Sequence, residues 1–368
     1  MEYLDIVIVV FNRISLDARA YNLANTLIKI GKKVLVISLS EEITNTKYDF
    51  QNFTVKISNL RRVYLRWLIF SFLVNQILRR IKYKYLVASD LYALPVCSIN
   101  KINVLLYDSR EIYSELASLE NRKIAKSIIR SIEKKFIKNV DKIIVTSDDD
   151  KIYLCQNLTN KKTYIIIKNL PPYKEKINSN YLRDKLKIPT KDKIFIYQGM
   201  IQKGRGIFNF IDAIQELDNI RFILIGENNI SDELNKYINS KKLKDKIHIL
   251  EPVPYTNLYE ITTSADIGIA LFEPISISYK LALPNKLFEY ILAGIPILAT
   301  NLSSIKEIIE NYNIGLLVND VYNKNELKEK INLIINTKIY NDQKQNIDKI
   351  RNKFTYESQI DTIKELFD

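Results

Sequence analysis

The chain has 368 residues, of which 47% are apolar and 26% are charged, a composition that excludes a wholly disordered protein. Its length exceeds that of most single hydrophobic cores and favours two domains. Lys and Arg outnumber Asp and Glu by 55 to 42, which favours an anionic partner: a nucleic acid, nucleotide phosphates or an acidic membrane face.

The two cysteines, Cys97 and Cys155, lack CxxC spacing, so we expect thiols in a reducing cytoplasm rather than a disulfide or metal site. The short N-terminal apolar run 1–10 contains Glu2 and Asp5 and no base. It therefore predicts a strand and not a signal peptide. The lipid-like run 67–74 is far shorter than the ~20 residues of a spanning helix. We expect a cytoplasmic protein, with peripheral attachment to the inner face of the cytoplasmic membrane left open.

The first half of the chain alternates short β-branched runs with longer helical patterns. Apolar residues recur at helical spacing over 20–28, and Gly31 is placed for a left-handed C-terminal cap. Continuous apolar strands between helices indicate a parallel sheet covered on both faces. The predicted strands are 6–10, 34–38, 85–88, 104–107, 143–146 and 164–167.

A second α/β series follows a proline-rich, charged break. We predict a first domain over 1–170, a linker over 171–190 and a second domain over 191–355. Two consecutive doubly wound domains would place a ligand cleft between the carboxyl edges of their strands. The second set of predicted strands is 194–197, 222–225, 247–250, 267–271, 295–300 and 315–318.

A glycine-rich loop follows the first strand of the second series. Gly199, Gly204 and Gly206 lie between a strand and a helix, where backbone can approach a phosphate. Lys203 and Arg205 add cationic donors to this loop. The spacing matches neither GxGxxG nor a P-loop, so kinases and NAD enzymes are disfavoured. A tight turn with two solvated bases is an equal alternative on this loop alone.

The helix predicted to begin at Pro284 and end at Gly294 has an apolar and a polar face. Its N-terminus and Lys286 together favour a diphosphate. Glu289, one turn further, can accept hydrogen bonds from both ribose hydroxyls. Alternatively, Asn285 caps the helix while Lys286 and Glu289 are solvated. The apolar face has Leu287, Phe288, Ile291 and Leu292; the polar face has Asn285, Lys286, Glu289 and Tyr290.

Several segments match a known family. SADIGIALFEPISISYKLALPNKLFEYILAGIPILAT, with YQGMIQKGRGIFNFIDAI and FILIGENN before it, resembles the donor-binding domain of family 4 retaining glycosyltransferases, the group 1 glycosyltransferases of bacterial surface-glycan synthesis. The first half resembles the same family through LDARAYNLANTLIKIGKKVLVIS, ASDLYALP, YDSREIYSE and DKIIVTSDD. The resemblance implies an α/β GT-B fold: two Rossmann-like doubly wound domains facing across a cleft.

The resemblance also implies roles for particular residues. Glu289 would hold the donor ribose, Arg205 would contact the diphosphate, and the base would lie near 251–255. It implies that no metal is needed, which agrees with the single histidine, and that a last helix, 356–368, packs back on the first domain. The predicted donor-site residues are Lys203, Gly204, Arg205, Gly226, Glu227, Tyr255, Glu273, Asn285, Lys286, Leu287 and Glu289.

Two departures from the family affect the donor site. The family's paired glutamates are separated by seven residues, yet the position eight before Glu289 is Leu281. Glu273 is the candidate to compensate in recognising the sugar. A second family base is replaced by Met200, so that Lys203 or Lys286 would have to supply its charge.

A third departure concerns catalysis. Where relatives have His in the first-domain motif, this chain has Arg110, followed by Glu111; we predict both as catalytic-site residues. Arg cannot act as a base at neutral pH, because its pKa stays above about 12. We infer that the leaving phosphate assists the acceptor hydroxyl while Arg110 positions substrate. Alternatively, Arg110 pairs with Glu111 or Glu115 and only shapes the cleft.

Two basic stretches, 61–84 and 122–138, lie in the first domain. The first has seven bases and no acid, interleaved with aromatic and aliphatic residues. Such a composition can attract anionic lipid at ~1 kcal/mol per base. Alternatively, the apolar residues are core and the bases are solvated. No nucleic-acid-binding module accompanies the bases, so we expect no nucleic acid partner.

The sequence therefore predicts a metal-independent hexosyltransferase (EC 2.4). It would move a sugar, with retention, from a UDP- or GDP-sugar to a carbohydrate or lipid-linked glycan acceptor. The expected context is bacterial surface polysaccharide synthesis, such as capsule or lipopolysaccharide O-antigen, without any further cofactor. The alternatives are a nucleotide-sugar epimerase or phosphorylase of similar fold, and a non-catalytic glycosyltransferase-like accessory protein.

Overall fold

The computed structural model describes residues 3–40, 48–57 and 62–368; Glu2 and Arg61 lie outside these ranges. The chain divides into two compact units. The first unit comprises Met1–Asn169 and Gln359–Asp368, and the second comprises Leu170–Ser358. Each unit contains a wholly parallel sheet with helices between its strands, so the predicted pair of doubly wound α/β folds is confirmed.

The sheet of the first unit has seven strands in the order β3-β2-β1-β4-β5-β6-β7. Six of them coincide with predicted strands, although their ends differ by up to three residues. The strand β3 was not predicted, because it is an edge strand in which only Val55 is buried. The strands are β1 (Tyr3–Val10), β2 (Val34–Ser40), β3 (Gln51–Lys56), β4 (Lys82–Ser89), β5 (Val104–Asp108), β6 (Lys142–Val145) and β7 (Thr163–Ile166).

Five helices follow these strands in the first half of the chain. At α5, Ser147 accepts a hydrogen bond from the Asp150 backbone N–H, and three aspartates lie in the first turn, where negative charge is favoured. The helix α2 contacts α3, and α3 contacts α4. The helices are α1 (Ala18–Lys29), α2 (Val63–Leu78), α3 (Leu94–Ile99), α4 (Lys123–Phe136) and α5 (Asp148–Asn157).

The sheet of the second unit has six parallel strands in the order β10-β9-β8-β11-β12-β13, and all six coincide with predicted strands. Phe195, Phe210 and Phe222 meet in its core, with ring centroids 4.6 to 5.3 Å apart. The strands are β8 (Lys193–Gln198), β9 (Ile220–Ile225), β10 (Ile247–Leu250), β11 (Ile267–Ala270), β12 (Ile297–Thr300) and β13 (Gly315–Val318).

The second unit has nine helices among the described residues, and a last helix returns to the first unit. Asn285–Ala293 forms α11, with Pro284 as the residue before its first turn and Gly294 (φ 79°) as its left-handed cap. The remaining helices are α6 (Tyr181–Leu186), α7 (Ile207–Ile214), α8 (Ser231–Ser240), α9 (Tyr255–Thr263), α10 (Ile277–Lys280), α12 (Ser303–Tyr312), α13 (Lys324–Ile334), α14 (Thr337–Ile350) and α15 (Ile360–Phe367).

Both cysteines are free; Cys97 is buried and Cys155 is half-buried. Among the described helices, none is both long enough and apolar enough to cross a bilayer.

A buried carboxyl group lies on α4. The hydroxyl of Tyr107 donates a hydrogen bond of 2.7 Å to Glu133, whose residue is 2% exposed. Burial raises the pKa of Glu133 to about 7, against the opposing effects of Tyr107 and Arg130. A carboxyl whose folded pKa is raised stabilises the fold at low pH, and this contribution is lost as the pH rises through about 7.

Replacing Glu133 by Gln should therefore stabilise the protein, relative to the wild type, more at pH 8 than at pH 5. The neutral amide keeps the acceptor for Tyr107 and removes the buried charge, a difference on the order of 2 kcal/mol. Thermal unfolding of variant and wild type at both pH values measures it. The exposed Glu307→Gln is the control, and an equal difference at both pH values would contradict the assignment.

Candidate functional site

The strand order of the second unit reverses between β8 and β11. Open α/β sheets bind ligands outside the carboxyl ends of their strands at such a reversal. Gly199 follows β8 and Gly226 follows β9, with φ of 109° and 140°. A Cβ atom at Gly226 would lie 2.2 Å from the Gly199 carbonyl oxygen. Only glycine permits this approach, which leaves exposed backbone beside the reversal point.

The glycine-rich loop presents Arg205 at the same edge. Its guanidinium carbon lies 4.8 Å from the Phe272 ring centroid and 4.5 Å from that of Tyr279. The Nε atom is buried and, within the described chain, has no hydrogen-bond partner. A guanidinium held flat by aromatic rings with a donor to spare is suited to bind an anion.

Lys286 lies in the first turn of α11 and is only 8% exposed. Its Nζ atom is 3.4 Å from the Tyr197 ring centroid. The atom also lies 3.8 Å from where a Cβ of Gly199 would be. Burial lowers the pKa of Lys286 well below its ordinary value; Arg205 lowers it further, and Glu289 opposes the shift. This position therefore disfavours the ammonium ion unless an anion joins it.

Glu289 lies one turn after Asn285 and is held by neighbours on two sides. The Gln198 side-chain amide donates a hydrogen bond to its carboxylate, and the Tyr255 hydroxyl also hydrogen-bonds to it. Gln198 is fixed in turn, because its Oε1 accepts a hydrogen bond of 2.8 Å from Thr262. Burial raises the pKa of Glu289, while Gln198, Lys286 and Tyr255 oppose that shift. The carboxylate is thus oriented before any ligand binds.

A pocket opens beside Glu289. Its wall includes Tyr255 and Tyr259 from α9, and Pro172 and Lys174 from the segment predicted as a linker. The Lys174 Nζ atom lies 5.2 Å from the Tyr259 ring centroid. A pocket with aromatic walls and a carboxylate at its edge is suited to a planar ring joined to hydroxyl groups.

The structure thus brings together, directly or through shared neighbours, the predicted donor-site residues Arg205, Lys286, Tyr255 and Glu289. Gly204 belongs to the same group, and its carbonyl accepts a hydrogen bond of 3.0 Å from the Glu273 N–H. Glu273 itself is half-buried, and its carboxylate accepts a hydrogen bond of 3.4 Å from the Tyr322 hydroxyl.

The other predicted donor-site side chains are paired elsewhere, buried in the core or exposed. Lys203 is two-thirds exposed and pairs with Glu233 at 2.9 Å. Lys203 and Lys286 were the two candidates to replace the family base at Met200, and Lys286 is the one close to Arg205. The side chain of Leu287 is fully buried in the core. Glu227 and Asn285 are exposed, and the side chain of Asn285 does not cap α11.

The predicted polar face of α11 was wrong for Tyr290. This residue is fully buried, and its hydroxyl donates at 3.1 Å toward the Ile196 and Ile269 carbonyls. Sequence reasoning also missed Gln198, Thr262 and Tyr197, which orient Glu289 and Lys286. A polar residue ending an otherwise apolar strand was the available signal for Gln198.

In the first unit, Arg110 is held by two aspartates. It donates to Asp17 at 2.5 Å and to Asp108 at 3.2 Å. The alternative prediction that Arg110 pairs with Glu111 or Glu115 was therefore wrong, because its partners are Asp17 and Asp108. Glu115 instead binds Lys126 at 3.1 Å and Arg130 at 2.7 Å, and Glu111 is exposed.

Comparison with known proteins agrees with the fold. Residues 178–353 match the family model of the glycosyl transferases group 1, so the match extends over most of the second unit. Spore coat protein SA of Bacillus subtilis (strain 168) is 24% identical over 155 residues, which are 39% of this chain and 40% of that protein. The match thus spans well under half the length of this curated relative.

Two solved structures are similar over their whole length. Sucrose-phosphate synthase from Thermosynechococcus elongatus has a TM-score of 0.80 at 14% identity, covering 99% of this chain and 98% of that one. Anabaena Alr3699/HepE, solved with UDP and glucose, has a TM-score of 0.74 at 16% identity, covering 99% of each chain. The chain therefore has the GT-B fold, with two Rossmann-like α/β domains, as predicted.

Changing Lys286 to Met should raise the melting temperature at pH 7. The change removes a buried cationic donor, which costs about 1 to 3 kcal/mol when unsatisfied. Because the pKa of Lys286 is lowered in the folded protein, wild-type stability should rise with pH toward the ordinary lysine pKa and approach that of the variant. Thermal unfolding at pH 7 and 9.5 checks this, with exposed Lys203→Met as control. A destabilised Lys286→Met would refute the argument.

Proposed function

We propose that the chain is a metal-independent hexosyltransferase (EC 2.4). It transfers a sugar from a UDP- or GDP-sugar to a hydroxyl of a carbohydrate or lipid-linked glycan, with retention at the anomeric carbon. The observation that carries the proposal is the buried side chain of Lys286 beside Arg205, one helical turn from the oriented carboxylate of Glu289. The match of residues 178–353 to group 1 glycosyl transferases supports it.

The arrangement of these charges indicates where each part of the nucleotide-sugar donor binds. The diphosphate binds at the N-terminus of α11 between Lys286 and Arg205, because both cations and the free backbone N–H groups favour an anion there. Glu289 accepts hydrogen bonds from the ribose hydroxyls. The base enters the pocket beside Tyr255. The sugar then lies toward Glu273 and the 276–283 segment.

Transfer requires that the bond between the anomeric carbon and the diphosphate oxygen breaks as the acceptor oxygen bonds to the same face of that carbon. The acceptor proton passes to the leaving phosphate, since Arg110 cannot accept a proton at neutral pH. Lys286 and Arg205 stabilise the charge that develops on the diphosphate. Neither step uses a metal ion.

We further propose that the reaction contributes to a bacterial surface polysaccharide, with the enzyme in the cytoplasm at the inner face of the cytoplasmic membrane. Exposed apolar side chains support a membrane surface on the first unit. On α4, Ile124, Ile128 and Ile132 form a stripe at a spacing of four residues and are 80%, 54% and 39% exposed. On α2, Leu68 and Phe72 are 51% and 60% exposed.

Basic residues border this surface on both helices. Arg62, Arg79 and Arg80 lie at the ends of α2 and are exposed, while Lys134 and Lys135 lie in the last turn of α4. Exposed apolar groups bordered by bases are the composition of an interfacial helix that binds anionic lipid. The alternative that the apolar residues of α2 are core holds for Phe70, Val74 and Leu78, which are buried, whereas Leu68 and Phe72 are exposed.

The donor assignment predicts that Glu289→Ala weakens nucleotide-sugar binding by more than about tenfold, because a hydrogen bond to a charged group contributes ~1.5 to 3 kcal/mol. A thermal-shift panel of UDP- and GDP-sugars measures it, since a ligand at 100 times its Kd adds ~2.7 kcal/mol of stability. Exposed Glu310→Ala is the matched control. Unchanged affinity in Glu289→Ala would remove the ribose assignment.

Turnover assays with the same nucleotide-sugars separate the candidate functions. Release of the nucleotide only when an acceptor is present identifies a transferase, and sugar interconversion without acceptor identifies an epimerase. Tight binding without any turnover identifies an accessory protein.

The membrane proposal predicts that Ile124→Ser with Ile128→Ser lowers binding to phosphatidylglycerol-containing vesicles by about tenfold or more, since each buried CH₂ contributes ~0.8 kcal/mol. Cosedimentation with vesicles at low and high salt measures the change. Leu333→Ser, an exposed apolar change in the second unit, should bind as the wild type does. Equal binding by the double variant would contradict the proposal.

A further inference from the structure

We propose that Asp90 and Arg110 together bind a non-reacting hydroxyl of the acceptor at the carboxyl edge of the first unit's sheet. This inference rests on the proposed function, because it supplies the group that holds the second substrate. In this proposal the side chain of Asp90 contacts the acceptor directly.

The topology places Asp90 where a ligand is expected. The strand order of the first unit reverses between β1 and β4, and Asp90 follows the last residue of β4. Its backbone N–H donates a hydrogen bond of 3.2 Å to the carbonyl of Asp108, the last residue of β5. Asp17 precedes α1, and Arg110 comes two residues after β5. These four residues therefore share the edge at which doubly wound sheets bind ligands.

Asp90 has a conformation and an environment that the fold alone would not favour. Its φ is 101°, a backbone region that strains any residue except glycine. Burial raises the pKa of Asp90 to about 7, against the attraction of Arg110 and the N–H groups of Ala93 and Tyr92. Strain and a poorly solvated carboxyl occur together at functional sites more often than elsewhere.

Arg110 provides a donor beside this acceptor. Its Nε and Nη1 atoms are held by Asp108 and Asp17, and Asp108 is itself paired with Arg19 at 2.7 Å. The Nη2 atom of Arg110 is buried and has no hydrogen-bond partner in the described part of the chain. Asp90 and Arg110 are near enough to influence each other's ionisation. The fixed guanidinium thus has one unused donor next to a carboxylate.

A carbohydrate hydroxyl matches this pair, because it donates one hydrogen bond and accepts others. Its O–H would donate to Asp90, and its oxygen would accept from Arg110 Nη2. The hydroxyl held in this way positions the acceptor and does not itself react, since the proton of the attacking hydroxyl passes to the leaving phosphate in the proposed reaction.

A purely local role for Asp90 makes a different prediction. Its Oδ1 accepts a hydrogen bond of 2.9 Å from the Ala93 N–H, which closes the turn before α3. That turn needs an oxygen acceptor but no negative charge, and Asn supplies the same acceptor. Gly removes the side chain and relieves the positive φ. The variants Asp90→Asn and Asp90→Gly therefore separate the two roles.

The experiment measures direct binding of a panel of p-nitrophenyl glycosides by saturation-transfer NMR, with UDP-sugar binding by thermal shift in parallel. Asp90→Asn should weaken glycoside binding by about tenfold or more and leave the affinity for the UDP-sugar unchanged. Asp90→Gly should lose glycoside binding equally while its melting temperature equals or exceeds that of the wild type.

Wild-type glycoside affinity in Asp90→Asn would overturn the inference, as would a wild type that binds no glycoside of the panel. A melting temperature for Asp90→Gly well below that of the wild type would show that the side chain serves the fold. A wild type that binds glycosides but no nucleotide-sugar would refute the proposed function instead. The two failures are thus distinguishable.

Discussion

The ammonium group of Lys286, buried against the ring of Tyr197, is the constraint on which the site in the second unit depends. A cation in this position is poorly solvated, and the shift of its pKa away from the charged form expresses that cost. Gly199 leaves room beside the ammonium, and Arg205 adds a second positive charge. A bound anion would relieve both, so this position favours a ligand with negative charge, such as a diphosphate.

The two units have the same winding but differ at their points of strand reversal. In the second unit, Gly199 and Gly226 leave backbone exposed there, and the cationic side chains of Lys286 and Arg205 lie beside it. In the first unit, β4 is followed by Asp90 and β5 by Arg110 two residues later, so the corresponding edge has alternating charges instead. Exposed backbone with cations suits phosphates, whereas paired donors and acceptors suit hydroxyl groups. The proposed donor and acceptor sites would thus use one topology for two chemically different substrates.

Sequence periodicity was sufficient for most of the fold, since twelve of the thirteen strands in the described residues contain an apolar run between turn residues. It failed at β3, where an exposed edge strand lacks such a run. The ends of α11 followed from Pro284 and Gly294, but the wheel misplaced Lys286 and Tyr290, because this helix is covered on more than one side.

Charge partners distant in sequence were beyond the same reasoning. Arg110 pairs with Asp17, 93 residues away, although acidic residues are adjacent to it in sequence. The resemblance to known enzymes identified Glu289 but said nothing of Gln198 and Thr262, which orient it. Local pattern predicts elements, whereas the orientation of a functional group depends on which strands become neighbours.

One hydrogen bond links the surface of the first unit to its edge of strand reversal. The indole N–H of Trp67, on α2, donates at 2.8 Å to the carbonyl of Tyr92, two residues after Asp90. Phe11 packs against both Phe70 of α2 and Tyr92, with ring centroids 5.1 and 5.5 Å apart. The helix with exposed apolar and basic residues is thus attached to the turn that presents Asp90. A lipid-linked acceptor held at that helix would have its glycan close to the turn that contains Asp90, the residue proposed to bind one of its hydroxyl groups.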